Sequence, residues 1–133
     1  MLVIDFHLHV TTADEYNKWF LDWMRNIHGE EGLAHLRDVL TSPEALLRFM
    51  DQQGIDYVVA LAETNTMVTG VSTNDRVAEF CRGNESLIPF ANINPYVTFN
   101  QVGELERCVT KLGVKGLKLY PTYQHFYPND NKL

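Results

Sequence analysis

Two imidazoles one residue apart, His7 and His9 in the run Val3-Ile4-Asp5-Phe6-His7-Leu8-His9-Val10, are the residues of this sequence best equipped for chemistry. The stretch Leu2–Phe6 is short, apolar and partly β-branched, the pattern of a buried strand in a parallel sheet. Residues i and i+2 of a strand share a face, so both rings are expected to point the same way, their backbones roughly 6.5–7 Å apart. Two imidazoles at that spacing reach one ion. Imidazole suits first-row transition metals, and zinc is the default guest. An arbitrary pair of this kind is more often one core histidine and one loop histidine. Here the pair follows an N-terminal strand and precedes the polar Thr11-Thr12, where α/β folds keep their active sites.

Two protein ligands hold a catalytic zinc weakly, since three plus water is usual. His125, Asp5 or Glu63 are candidates to complete the set. By alternation Asp5 shares the face of His7, as a further ligand or as a hydrogen-bond partner to one.

The rest of the sequence reads as elements that position this pair. Residues 11–42 form an inserted, helical, lid-like segment. Within it Tyr16, Trp19, Phe20, Trp23 and Met24 make one aromatic stripe on a helix from Asp14 to Ile27, with Asp14 as its cap and Gly29 and Gly32 as its breakers. Such a stripe is usually core packing; its place after the two histidines also suits a lid or pocket wall. His28 and His35 are expected to be solvated. Ser42-Pro43-Glu44 opens a helix that Gly54 closes. Ile55–Leu61 is then a second buried strand, delivering Glu63, Thr64 and Asn65 to the rim that carries His7 and His9. Ser72-Thr73-Asn74-Asp75 opens a third helical region, ended by Gly83, and Leu87–Ile93 is a third strand ending at Asn94-Pro95. Asn100 to Leu112 is a helix ended by Gly113, and Val114–Tyr120 a fourth strand. Four strands alternating with helices imply parallel βαβ units whose carboxyl edge is the functional rim.

At 133 residues with a net charge of −6, the chain has room for one domain, residues 1–133, with a real core. Its acidic balance and scattered basic residues argue against a nucleic-acid partner. No apolar run is long enough to span a bilayer and the N-terminus has no signal-peptide pattern, so a soluble, cytoplasmic protein without a membrane partner is expected. Cys81 and Cys108 fall on predicted helices at no ligand spacing and are expected to pack as small hydrophobes.

Three motifs together resemble the amidohydrolase superfamily, in its second, decarboxylase- and lactonase-like branch. They are Ile4-Asp5-Phe6-His7-Leu8-His9, Ala91-Asn92-Ile93-Asn94-Pro95, and Gly113-Val114-Lys115-Gly116-Leu117-Lys118-Leu119-Tyr120-Pro121 running into Gln124-His125-Phe126-Tyr127-Pro128-Asn129-Asp130. The resemblance covers most of the chain and implies a parallel (βα) half-barrel, the first four βα units of a TIM-barrel-like α/β fold. It also implies a divalent metal, usually zinc in the family, with His7 and His9 as its first two ligands. Lys118 stands where some members keep a fourth-strand residue facing the metal, and many relatives have His where this chain has Tyr120. Lys118 and Tyr120 are therefore candidate catalytic groups, and Asn94 and Glu63 candidate substrate-binding groups. For Lys118 the alternative is a lysine whose stem lines the sheet and whose ammonium reaches the rim.

The function implied is a metal-dependent hydrolase or lyase acting on a small-molecule amide, lactone or related carbonyl substrate, or a piece of such an enzyme. Relatives carry further metal-binding histidines on the fifth and sixth strands and a catalytic Asp after the eighth, and a full barrel needs about 250 residues. On this reading the partner is a homo-oligomeric copy, a second chain or a missing C-terminal half. The first and fourth strands are left as sheet edges. Alternatives are a non-catalytic half-barrel serving metal binding or assembly, and a phosphoesterase of the polymerase-and-histidinol-phosphatase type, which also begins with a strand and two histidines.

Overall fold

The computed structural model describes residues 1–11 and 15–131. Along the chain the elements are β1 (Ile4–His9), α1 (Lys18–Thr41), α2 (Pro43–Gln53), β2 (Tyr57–Leu61), β3 (Glu63–Asn65), β4 (Gly70–Ser72), α3 (Asn74–Cys81), β5 (Leu87–Asn92), α4 (Gln101–Leu112), β6 (Gly116–Lys118) and the single turn α5 (Pro121–Gln124). The main sheet is wholly parallel with the order β1-β2-β5-β6. Strand order that never reverses is the winding of a barrel wall, whereas a doubly wound sheet turns back on itself at a switch point. The α/β half-barrel expected from the sequence is the architecture found, with β1 and β6 as the edges of the sheet.

Local chemistry sets most boundaries. Ser42 caps α2 through a bond from the Ala45 N–H, Pro43 takes the first helical position, and Gly54 ends the helix in the left-handed conformation at φ 67°. Asn100 and Gly113 perform the same two tasks for α4, and Thr73 caps α3. One face of the sheet packs under these helices. Val58 and Ala60 of β2 and Leu87 of β5 meet Leu46 and Met50 of α2, Val39 of α1 and Val77 and Cys81 of α3, while Ala91, Cys108 and Val114 form a smaller cluster under α4. Both cysteines are free and buried. Burial pushes the Cys81 thiol up to about 12 and the Cys108 thiol up to about 11, so neither is a poised nucleophile.

Four expectations need correction. Gly29 does break the helix after the histidines, at φ 68° and ψ 178°, but Gly32 does not: a second helical stretch follows the kink and runs to Thr41 with Gly32 inside it. Leu33 and Val39 in the second stretch are buried, so packing outweighs the low propensity of Gly32. Asp14, the proposed cap, lies outside the described residues. The fourth strand shrinks to Gly116–Lys118, with Tyr120 standing before the turn of α5. β1 is not buried. Ile4 is 47% and Phe6 64% exposed, because this edge strand turns its second face away from the helices. Last, Glu63–Asn65 is not a plain rim turn. It pairs antiparallel with Gly70–Ser72 as a hairpin, β3–β4, beside the main sheet.

That hairpin clasps the approach to α1. Tyr16 bridges to Gly70, the Asn17 N–H donates to the Thr69 carbonyl at 2.8 Å, and the Asn17 amide donates to the Thr66 and Val68 carbonyls, each at 3.0 Å. A Cβ on Gly70 would lie 2.0 Å from the Glu15 carbonyl, and its φ of 142° is one that side-chain-bearing residues rarely adopt.

Candidate functional site

The two histidines converge as their spacing predicts, but the strand before them is out of register. The pairing of β1 with β2 slips between Asp5 and Leu8, so two residues of β1, Phe6 and His7, stand opposite Val59 alone. This is a bulge, and bulges re-aim side chains. It puts Asp5, aligned with the helix-facing Val58, out of step with His7. The Asp5 carboxylate instead accepts the His7 backbone N–H at 3.0 Å. Asp5 is thus a brace for the bulge, and the expectation that it shares the face of His7 does not hold.

Beyond the bulge the Nε2 atoms of His7 and His9 lie 3.2 Å apart. Two nitrogens each 2.0–2.1 Å from a tetrahedral ion would be separated by about 3.3 Å. The pair therefore has the geometry of two ligands on one cation. Among the described residues no group of three or more His, Cys, Asp or Glu is gathered for a metal, so these two rings are a partial donor set. His125 sits apart, in the left-handed turn that ends α5. The His7 and His9 pair nonetheless suits a transition metal in donor type and spacing.

Behind His9 stands Glu63. Its carboxylate is 3% exposed; Oε2 accepts from Asn65 Nδ2 at 2.9 Å and from Thr69 Oγ1 at 2.7 Å, while Oε1 faces His9 Nδ1 at 3.5 Å. Burial pushes the Glu63 pKa up, and the two donated bonds pull against it. His9 is pushed down to about 4, first by burial and then by the charges of His7 and Lys118. It is neutral near pH 7, the form in which a ring nitrogen offers a lone pair. With His9 neutral, its approach to Glu63 is a polar contact and not an ion pair.

The rings open on a cavity of about 410 Å³ lined by aromatic residues from both ends of the chain, among them Tyr16, Phe20, Trp23, Tyr120 and Tyr123. Phe20 stacks on Trp23 at 5.4 Å and Tyr16 meets Phe20 edge-on at 4.9 Å. The stripe expected to be either core or wall is, in these members, wall. Lys118 also lines the cavity, its ammonium 5.1 Å from the centre of the Tyr120 ring. The Tyr120 ring lies 6.1 Å from that of His9, and its hydroxyl donates to the Ala62 carbonyl at 3.2 Å. Burial and the nearby Glu63 push the phenols of Tyr120 and Tyr16 upward, which keeps both protonated.

Five of the six residues proposed from sequence, His7, His9, Glu63, Lys118 and Tyr120, thus meet at one cavity. Asn94 does not join them. Its amide donates to the Thr64 carbonyl at 2.8 Å and its oxygen accepts the Tyr96 N–H at 3.0 Å, beside a separate cleft near His125. Sequence reasoning missed Thr69 and Asn65 as holders of Glu63, because the hairpin that presents them has strands of three residues each.

The fold is an α/β one with a barrel-type parallel sheet, and its imidazole pair stands at the mouth of an aromatic cavity. The comparisons narrow it. The family model described as amidohydrolase matches residues 4–133, and the chain belongs to that family. No curated protein matches it. Among solved structures it is similar to a probable 2-pyrone-4,6-dicarboxylic acid hydrolase from Acinetobacter baumannii with citric acid bound. That likeness has a TM-score of 0.51 and 18% identity, and covers 88% of this chain but 37% of that one. It speaks to the fold alone, and the chain spans little more than a third of that protein's length.

Proposed function

We propose that this chain carries the first half-site of a metal-dependent hydrolase of the amidohydrolase type, acting on an amide, lactone or related carbonyl compound. The observation that carries the reading is the 3.2 Å approach of the His7 and His9 Nε2 atoms at the mouth of the aromatic cavity. The two rings would hold one divalent cation, for which zinc is the best match in donor type. When bound, such an ion supplies Lewis acidity, polarising a carbonyl and making water a nucleophile near neutral pH.

The chain's own groups have separable tasks. Lys118 offers a cation to an anionic part of the substrate, seated over Tyr120 at 5.1 Å. Phe20, Trp23 and Tyr123 give flat walls that exclude water and favour a planar substrate body. The Tyr120 hydroxyl is committed to Ala62, so its part is the ring face and not proton transfer. A homo-oligomer or a second half supplying further ligands would complete the ion's donor set, since two imidazoles alone hold zinc weakly.

The test is zinc titration by calorimetry on the wild type and on His7→Ala and His9→Ala, followed by assay against a lactone and amide panel. One zinc per chain, abolished by either substitution in a sample with native circular dichroism, is expected. A folded wild type that takes up no zinc would end the proposal.

A further inference from the structure

His9 presents a problem that its own contacts state clearly. Its Nδ1 is buried with no hydrogen-bond partner of normal geometry among the described residues, yet it faces the Glu63 carboxylate at 3.5 Å, with Oε1 as the nearest oxygen. The other carboxylate oxygen, Oε2, already accepts two donated bonds, from Asn65 and from Thr69. Asn65 and Thr69 belong to the clasping hairpin, so the orientation of the carboxylate is fixed from behind by backbone that is itself tied to Asn17. On the far side of the ring, His9 Nε2 and His7 Nε2 are at hydrogen-bond distance, 3.2 Å, where one nitrogen must donate and the other accept. The ring of His9 therefore has two possible proton positions, and its two neighbours do not suit them equally. A carboxylate can only accept.

We infer that Glu63 is a positioning residue that fixes the His9 proton on Nδ1, so that the Nε2 lone pair is always presented toward His7 and the proposed cation position. The inference rests on the metal-site reading of the preceding subsection for its purpose, but not for its test. It assigns a direction to the whole chain of contacts. Thr69 and Asn65 donate to Glu63, His9 Nδ1–H donates to Glu63, and in the metal-free protein His7 Nε2–H donates to His9 Nε2. Closing the 3.5 Å gap to an ordinary bond length needs a ring or carboxylate movement of about half an ångström. A histidine ligand whose second nitrogen is held by a carboxylate is both oriented and made more basic. Among the described residues His7 has no such partner: it is exposed, and must move its own proton to Nδ1 before it can bind an ion through Nε2. The two ligands are thus unequal, His9 pre-set and His7 adjustable.

Glu63→Gln tests this sharply because it preserves shape. Asn65 and Thr69 both donate toward the Oε2 position, so the new side chain seats its carbonyl there and turns its amide N–H toward His9. An N–H facing Nδ1 demands a lone pair on Nδ1, which drives the His9 proton to Nε2 and with it the one bond to His7 reverses.

The readout is long-range proton–nitrogen correlation NMR on metal-free protein labelled at histidine nitrogen, at neutral pH, with His9→Gln used only to assign the His9 signals. Expected are a His9 proton on Nδ1 in the wild type and on Nε2 in Glu63→Gln, with zinc affinity lowered about 10- to 100-fold in the variant. A wild-type His9 protonated on Nε2, or a folded Glu63→Gln with unchanged His9 tautomer, overturns the inference. Should Glu63→Gln fail to fold, the wild-type spectrum alone decides it. A wild type with the stated tautomer that binds no zinc would remove the proposed function while leaving the role of Glu63 in place.

Discussion

The two faces of the parallel sheet are made from the same strands yet are built to opposite ends. Toward the helices, Val58 and Ala60 meet Leu46, Met50 and Val77 in a dry, interlocked layer. Toward the other side, β1 and its neighbours present Phe6 edge-on to Phe90, then His7, His9 and Lys118, in a face that is open, aromatic and partly polar. The first face stores stability. The second holds groups whose partners are long, few or absent among the described residues, which is the condition for binding something else.

Substitutions of equal chemistry on the two faces are expected to separate by their cost. Leu46→Ala empties a side chain that is 1% exposed and should cost about 2–5 kcal/mol. Phe6→Ala removes a larger side chain from an exposed position and should cost about 1 kcal/mol, mostly the edge-to-face contact with Phe90 at 5.5 Å. Urea unfolding of both variants reads this directly. Equal losses would mean that the open face is covered in solution, and the contrast between the faces would then fail.

The clasp that joins the two faces comes next in size. Gly70→Ala sets a Cβ 2.0 Å from the Glu15 carbonyl at a φ of 142°, so the hairpin must back away from the segment carrying Tyr16. A cost of about 1–3 kcal/mol is expected. The distinguishing signature is local: amide exchange of Asn17, whose N–H donates to Thr69, should accelerate well beyond that of Ala60 in the core. Uniform acceleration would instead indicate plain global destabilisation.

How much of this was legible in the sequence follows the same division. The helix-facing side is written in local signals: Ser42 and Gly54, Asn100 and Gly113, and apolar runs whose period and caps carry their own physics. The site side is legible only in its residue types. That His7 and His9 converge was readable from alternation, but the bulge that sets His7 and removes Asp5 from that face depends on how β1 pairs with β2, a non-local matter. Likewise Glu63 was recognisable as a rim acid, whereas its holders come from a hairpin whose short strands leave no periodic trace. Asn94 looked like a rim group by position, yet the backbone carbonyl of Thr64 claims its amide. The helical stretch beyond Gly29 was missed because burial of Leu33 and Val39 overrode the propensity rule at Gly32.

The smallest effects expected are electrostatic, and here the faces differ in pH window and not only in size. On the helix layer Arg107 reaches Glu104 at 2.8 Å and Asp75 at 2.6 Å, and with help from Asn74 it holds the Glu104 carboxyl down to about 2 and lowers that of Asp75. A carboxylate whose folded pKa lies below its unfolded value stabilises the fold above the ordinary value near 4.5, and that contribution disappears as pH falls from there through about 2. Because Arg107 is well exposed, the cluster should be worth no more than about 1 kcal/mol. On the open face His9, held down to about 4 from 6.5, is neutral in the fold while its unfolded counterpart takes up a proton, so metal-free stability should begin to fall already below about pH 6.5. Stability measured by urea at intervals from pH 7.5 to 2.5 therefore divides into two steps. Arg107→Gln should erase part of the lower step and leave the upper unchanged, and His9→Gln should erase the upper alone. If Arg107→Gln altered the loss between pH 6.5 and 5, the two faces would be electrostatically coupled across the sheet, and their separation into a stabilising side and a binding side would not hold.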